Sequence, residues 1–299
     1  MRIVSLTPAA TEIVYALGLG GDLVGRTHAC DYPAEAVEVP VVTVSDPDAP
    51  ERSLDGALLA KLEPDLVLAD GSEDHPLVDY GEVSDVVGGM ASETTLVALA
   101  PHTVEGILNS ISTVGAYTEA EFEAVGLIEM LRERLAQISF AFDAVTRRVV
   151  VIDSLEPLSA AGGWVPEMVR DAGGWELLGR EGEPSQRTTW EQVREVDPQV
   201  LVLALRDADA IGAETALEQV TLPAWFDELT AVREGAFYAV DGRGLFARPG
   251  PRVVEGIAVL AELCRPEVFA GAGPVEAWRP LAPIGVAGKY LLDEPTSQP

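Results

Sequence analysis

Few residues in this chain could ligate a metal or attack a substrate. The histidines are His28, His75 and His102, and the cysteines are Cys30 and Cys264. Imidazoles combined with carboxylates bind zinc or manganese, so a metal-ion receptor is one reading. Such a site would need ligands from the rest of the chain, which has no histidine after His102. Two cysteines make neither a disulfide framework nor a thiolate zinc site, and whether they pair stays open. Ser5 and Ser154 stand outside a nucleophile-elbow context, and Gly18-Leu19-Gly20-Gly21 closes a helical pattern instead of opening one. A cytoplasmic α/β enzyme is therefore an alternative without a catalytic set. The chain reads as a binder, not an enzyme, with no cofactor acting as a catalyst. Arg243, Arg248 and Arg252 offer a different chemistry: fixed positive charge for amide, phosphate or carboxylate groups.

The elements that must position these residues alternate. Residues 2–6 read as a first strand, followed by the loop Thr7-Pro8-Ala9-Ala10 and a helix over 11–17 that stops at Gly18. A strand ending at Arg26, a helix near 54–62 stopped by Pro64, a buried strand at 66–69 and a helix over 103–114 follow. Such alternation predicts a mainly parallel sheet with ligands beyond the strands' carboxyl ends, here residues 7–10, 28–33 and 70–75. Pro8 and Ala9 lie where helix amides face that cleft.

The pattern then repeats. Residues 148–152 echo 2–6, residues 172–179 echo the glycine turn ending in Gly25, and Val196-Asp197-Pro198-Gln199-Val200 echoes Leu62-Glu63-Pro64-Asp65-Leu66. Three matches in one order imply two similar lobes. Between them, Gly115 closes one helix, and a single long helix is expected over 118–145. Its apolar stripe is Phe122, Val125, Ile128, Leu131, Leu135, Ile138, Phe142 and Val145, and Thr118 with Glu121 reads as its capping box. Such a helix would be about 40 Å long, a strut holding a pre-formed cleft. The expected fold is thus two Rossmann-like α/β lobes joined by one long helix, with the ligand cleft between the lobes. The expected bounds are an N-terminal lobe over 1–116, the helix over 117–146, a C-terminal lobe over 147–270 and a tail over 271–299.

Composition narrows the partners. The 299 residues carry 49 acidic and 20 basic side chains, a net charge of -29, and lysine occurs only at Lys61 and Lys289. That field repels nucleic acid and is read as a surface suited to high salt, as in a halophile. Met1-Arg2 leads straight into the first strand with no signal-peptide pattern, and no apolar run reaches the ~20 residues of a membrane span. Taken alone, this reads as cytoplasmic.

As a set, Arg2–Glu12, Thr27-His28-Ala29-Cys30-Asp31-Tyr32-Pro33, the strand after Pro64, Gly163-Trp164-Val165-Pro166-Glu167 and Phe246-Ala247-Arg248-Pro249-Gly250-Pro251-Arg252 resemble the cobalamin-binding proteins of ABC importers. These stand within the ferric-siderophore, haem and cobalamin receptor group, and the likeness spans about residues 1–268. Where the nearest subgroup carries a cysteine-rich segment and a Pro-Cys-Gly turn, this chain has Asp70–His75 and Leu205-Arg206-Asp207-Ala208. The resemblance implies two α/β lobes on one long helix, an extracytoplasmic setting, and a monomer that delivers cobalamin or another corrinoid to an ABC permease and ATPase complex. A ferric siderophore or haem is the alternative ligand. By their chemistry and their place at predicted strand ends, the expected ligand contacts are Pro8, Ala9, His28, Tyr32 and Pro33 of the first lobe and Trp164, Arg243, Phe246 and Arg248 of the second. No metal is held by protein alone, although His28 is a candidate axial ligand to a chelated metal, with Cys30 beside it. Permease docking would fall to Glu73 or Asp74 on lobe one and to Glu191 on lobe two, where Thr188 to Glu191 also reads as a capping box.

Overall fold

A computed structural model describes residues 1–44, 53–72, 77–91, 93–140 and 146–281. Lobe one is a parallel four-stranded sheet in the order Leu23–Arg26, Ile3–Ser5, Leu66–Asp70, Thr95–Leu99. Its inner strands are apolar up to their last residues, Ser5 and Asp70, with both faces buried, as a sheet covered on both sides requires. Lobe two has a parallel core of Gly174–Glu176, Arg147–Leu155, Val200–Leu203 and Phe237–Val240. Antiparallel strands Leu158–Ala160, Gln186–Arg187 and Trp278–Pro280 extend it. Trp278–Pro280 therefore places part of the expected tail in the sheet of lobe two, paired with Phe237–Val240.

The internal repeat is carried by matching backbone. Ile3 pairs with Leu66 and Leu23 in one lobe, and Val149 pairs with Val200 and Glu176 in the other. Helices Pro8–Ala16 and Val165–Asp171 each hold a proline in the first turn. Each ends on a residue at φ -83, ψ 3, Leu17 or Ala172, followed by a left-handed glycine, Gly18 or Gly173. Glu63 and Asp197, each before its proline, both have positive φ, at 44° and 41°. The first helix begins at Pro8, earlier than the apolar pattern suggests, because proline is pre-organised for the first helical turn.

The long helix differs from its expected form. It covers Glu121–Phe140, about 30 Å, and its projected end at Phe142 and Val145 lies outside the described residues. Thr118 does not start it. Its hydroxyl donates to Val114 O at 2.8 Å and closes the preceding helix Val104–Tyr117, while Glu119 turns the chain at φ 57. Gly115 lies inside that preceding helix instead of ending it. A Cβ there would fall 2.6 Å from Ala124 Cβ, so the glycine lets the two helices of this hairpin touch. The buried stripe is Ala124, Leu131 and Ile138, flanked by Leu127, Ile128 and Leu135. Phe122 is 87% and Val125 53% exposed. Steps of three from Phe122 through Val125 and Ile128 to Leu131 span nine residues, which rotates the first to the opposite face from the last at ~100° per residue.

The strut still serves both lobes. It packs on Val104–Tyr117 of lobe one and on Val165–Asp171 and Val253–Cys264 of lobe two. One continuous apolar core runs from Ile3, Ile13 and Leu68 through Leu131 to Val149, Met168 and Val259. Two smaller cores cover the outer sheet faces. Lobes joined through a shared apolar core do not move as freely as lobes joined by a polar interface.

Candidate functional site

The carboxyl ends of both sheets meet around the start of two helices, and two glutamates tie them together. Glu12 is on Pro8–Ala16 of lobe one, with its side chain 2% exposed. It accepts from Arg252 through both oxygens, at 2.6 and 3.0 Å, and from Arg248 Nη1 at 3.4 Å. Arg252 is the residue before the lobe-two helix Val253–Cys264, and Arg248 stands four residues before Arg252. Glu167 occupies the matching place on Val165–Asp171, five residues before Ala172 as Glu12 is five before Leu17. Its Oε2 accepts the Val104 N–H at 2.6 Å, the first residue of the last helix of lobe one. Each lobe thus sends a glutamate from equivalent positions to the start of a helix in the other. This reciprocal latch relies on charge-assisted hydrogen bonds in a poorly hydrated setting, where they are strongest.

Arg248 continues the bridge. Its Nη1 donates to Asp31 at 2.7 Å and its Nη2 to the Ala29 carbonyl at 3.1 Å. Burial raises the Asp31 carboxyl, but the hydrogen bond and charge of Arg248, with Arg243 behind them, outweigh it and hold the group below its ordinary 3.8. Arg252 lies over the Tyr32 ring at 3.9 Å, a cation–π contact across the cleft. Gly250 allows the closest approach: a Cβ there would come 3.2 Å from Glu12 Oε2 and 3.6 Å from Ala9 Cα.

The anticipated contacts divide accordingly. Tyr32 is 45% exposed, Pro33 half-buried beside it, Arg243 exposed and Trp164 half-buried, its indole N–H donating to Phe246 O at 2.9 Å. These four keep surface open to solvent. Phe246 is 2% exposed and belongs to the core, so it presents no face to the cleft. Arg248 is 8% exposed and committed to Asp31 and Glu12. Pro8 and Ala9 are buried in the first helical turn, with Ala9 packed beneath Gly250 of lobe two, and Pro8 has no N–H to offer a ligand. His28 is exposed, its backbone N–H and Nδ1 both against Thr43 Oγ1 at 3.1 and 3.0 Å. Cys30 is fully buried against Thr27 Oγ1, and burial pushes its thiol up, so it stays a neutral thiol instead of a thiolate ligand. Cys264 is pushed to about 12 by burial, and both cysteines are free.

Among the described residues no group of three or more His, Cys, Asp or Glu could hold a bare metal ion, and His102 is exposed. His75, with the docking candidates Glu73 and Asp74, lies outside the described residues. Glu191 is exposed in the first turn of Trp190–Val196, but the capping box there joins Thr189 and Gln192. Thr188 donates its hydroxyl to Gln192 Oε1 instead, which relieves Glu191 of the capping role. Among the described residues no helix is long and apolar enough to cross a membrane. Sequence reasoning passed over Glu12, although its signal is plain in Pro-Ala-Ala-Thr-Glu-Ile-Val: one carboxylate in an otherwise uncharged, apolar helix must find a buried partner.

Against known proteins, a family model described as periplasmic binding protein matches residues 3–243. The vitamin B12-binding protein of Vibrio parahaemolyticus is 27% identical over 267 residues, covering 87% of this chain and 88% of the relative. A Bacillus subtilis ABC transporter substrate-binding lipoprotein is 28% identical over 279 residues, covering 90% and 81%. Among solved structures, a periplasmic haem-binding protein from Pseudomonas aeruginosa superposes with TM-score 0.72 at 20% identity, covering 94% of this chain and 95% of that one. The periplasmic vitamin B12-binding protein BtuF of Vibrio cholerae gives 0.64 at 23%, covering 88% and 96%. At these identities the structural likeness speaks to the fold: two lobes of the periplasmic binding class.

Proposed function

The chain belongs to the periplasmic binding protein family, and on that premise we propose that it binds cobalamin or a related corrinoid outside the cytoplasm and delivers it to an ABC importer. The observation that carries the reading is the near full-length match to a vitamin B12-binding protein. The geometry agrees with a large, flat, polar-edged ligand: Tyr32 and Pro33 on one lobe and Trp164 on the other offer apolar surface, and Arg243 offers a cation at the rim. Binding of this kind is not catalysis. It needs shape, aromatic contact and a few hydrogen bonds, and the shared core and the glutamate latches keep the site pre-organised, which lowers the ordering cost of binding. His28, exposed and four residues before Tyr32 in the same loop, is the candidate axial ligand to a chelated metal, and Glu191 is the lobe-two candidate for docking on a permease arginine.

Gel filtration after incubation with cyanocobalamin, hemin or a ferric siderophore tests the reading. Visible absorbance of cyanocobalamin should co-elute with the protein at about one ligand per chain. Co-elution of hemin or the siderophore alone would replace the ligand within the same family. Retention of none would overturn the proposal.

A further inference from the structure

Basic side chains are outnumbered 49 to 20 by acidic ones, and one arginine of lobe two is held by a buried carboxylate. Asp153 extends the central strand Arg147–Leu155 beyond its pairing with Val200–Leu203, and it is 7% exposed. Its Oδ1 accepts from Ser159 Oγ at 2.5 Å. Its Oδ2 accepts from Ser185 Oγ at 2.5 Å and from Arg206 Nε and Nη2 at 2.9 and 2.7 Å. The Arg206 backbone N–H also donates to Asp153 O at 3.2 Å. The carboxylate is therefore satisfied from four sides, while Arg206 gives it only one edge of the guanidinium. Nη1 lies on the other edge, and the side chain remains 36% exposed.

The location matters as much as the bracing. Arg206 is in the loop after Val200–Leu203, at the carboxyl end of a parallel strand, where ligands of such sheets sit. The same loop is tied to the short helix Gly242–Leu245 through Arg243 N–H to Ala208 O at 3.0 Å. Arg243 makes no salt bridge among the described residues, and it follows Phe237–Val240 as Arg206 follows Val200–Leu203, so both cations stand at the sheet end from which Arg248 reaches Asp31 of lobe one. The repeat sharpens the contrast. Since Leu66 matches Val200, the lobe-one counterpart of Arg206 is Ser72, whose hydroxyl folds back onto Asp70 at 2.7 Å. Lobe two thus has a braced cation where lobe one has a self-satisfied serine.

We infer that Arg206, positioned by Asp153, contacts the ligand, and that with Arg243 it forms a subsite for an anionic oxygen group such as a phosphodiester. The inference rests on the corrinoid reading above and names the part of such a ligand that lobe two recognises. A guanidinium already fixed on one edge loses little freedom when its other edge meets an anion.

Cyanocobalamin carries a phosphodiester in its nucleotide loop, and dicyanocobinamide lacks that loop. Equilibrium binding of both probes to the full chain, and to Arg206→Ala, Arg206→Lys and Arg243→Ala, separates the outcomes. Arg206→Ala should weaken cyanocobalamin by about ten-fold or more while leaving dicyanocobinamide nearly unchanged, and Arg206→Lys should recover part of the loss. An equal loss for both probes, or a shifted urea midpoint with both affinities unchanged, would make Arg206 only the structural partner of Asp153 and overturn the inference. Wild-type protein that binds neither probe would instead refute the corrinoid reading itself, a failure visible before any variant is made.

Discussion

Glu12→Ala tests the reciprocal latch most directly. The substitution removes a carboxylate whose side chain is 2% exposed and which two guanidinium groups share. Arg248, 8% exposed, would keep Asp31 and the Ala29 carbonyl, so its charge would still be met. Arg252, 14% exposed, would lose both bonds to Glu12 and retain the Tyr32 ring. Breaking a buried pair from one side costs about 3–5 kcal/mol, and the partners left to Arg248 place this case near ~3 kcal/mol. For a chain of 299 residues that lowers the melting temperature by about 5 °C. Urea unfolding followed by tryptophan fluorescence measures it, and Arg252→Ala completes a double-mutant cycle. Since the two side chains act as one unit, the double variant should cost clearly less than the sum of the singles. A Glu12→Ala cost under about 1 kcal/mol, or strict additivity in the cycle, would refute the latch as a source of stability. Glu167→Ala removes the counterpart bond to Val104 N and a bond to the exposed Arg170, and it should cost less, about 1–3 kcal/mol, because its cross-lobe donor is uncharged and Arg170 keeps Glu181 and Asp171.

Three further outcomes follow from the same structure. Asp31 is held below its ordinary 3.8, so its bond to Arg248 stabilises the folded state above that pH and is lost as pH falls from there through the folded value; Asp31→Asn should remove that acid-side loss in a pH series of unfolding midpoints, and an unchanged profile would count against the bridge. Gly115→Ala drives a methyl to 2.6 Å from Ala124 Cβ and 3.1 Å from Ala120 O, so it should destabilise by about 1–3 kcal/mol, and a neutral result would show that the helical hairpin has room to spread. With 49 acidic against 20 basic residues, self-repulsion should fall and the melting temperature rise as KCl goes from dilute to molar concentrations; a flat response would remove the salt-adapted reading of the surface.

Much of the fold was legible in the chain because it depends on local signals. The proline before each buried strand, the left-handed glycine after each first helix and the apolar strand runs are properties of a few neighbouring residues. They suffice to show two α/β halves and the strand ends that face a cleft. Periodicity also reveals that a helix joins the halves, but it leaves the covered side undetermined. Successive three-residue steps carried the expected stripe around the helix until Phe122 lay in solvent, and Thr118 closed one helix instead of opening the next.

The site depended on contacts between residues more than two hundred positions apart. By chemistry Arg248, Phe246 and Tyr32 are all candidate ligand contacts. Tertiary packing separated them by laying Arg248 against Asp31 and Glu12, placing Phe246 in the shared core and leaving Tyr32 under Arg252 at the surface. By itself the sequence determined that two lobes form and which loops border their cleft, since strand and turn preferences act within a few residues. Only the tertiary structure decided which arginines are spent on the latch and which stay open to a ligand, because a buried charge takes its partner from whatever the fold brings within hydrogen-bond reach.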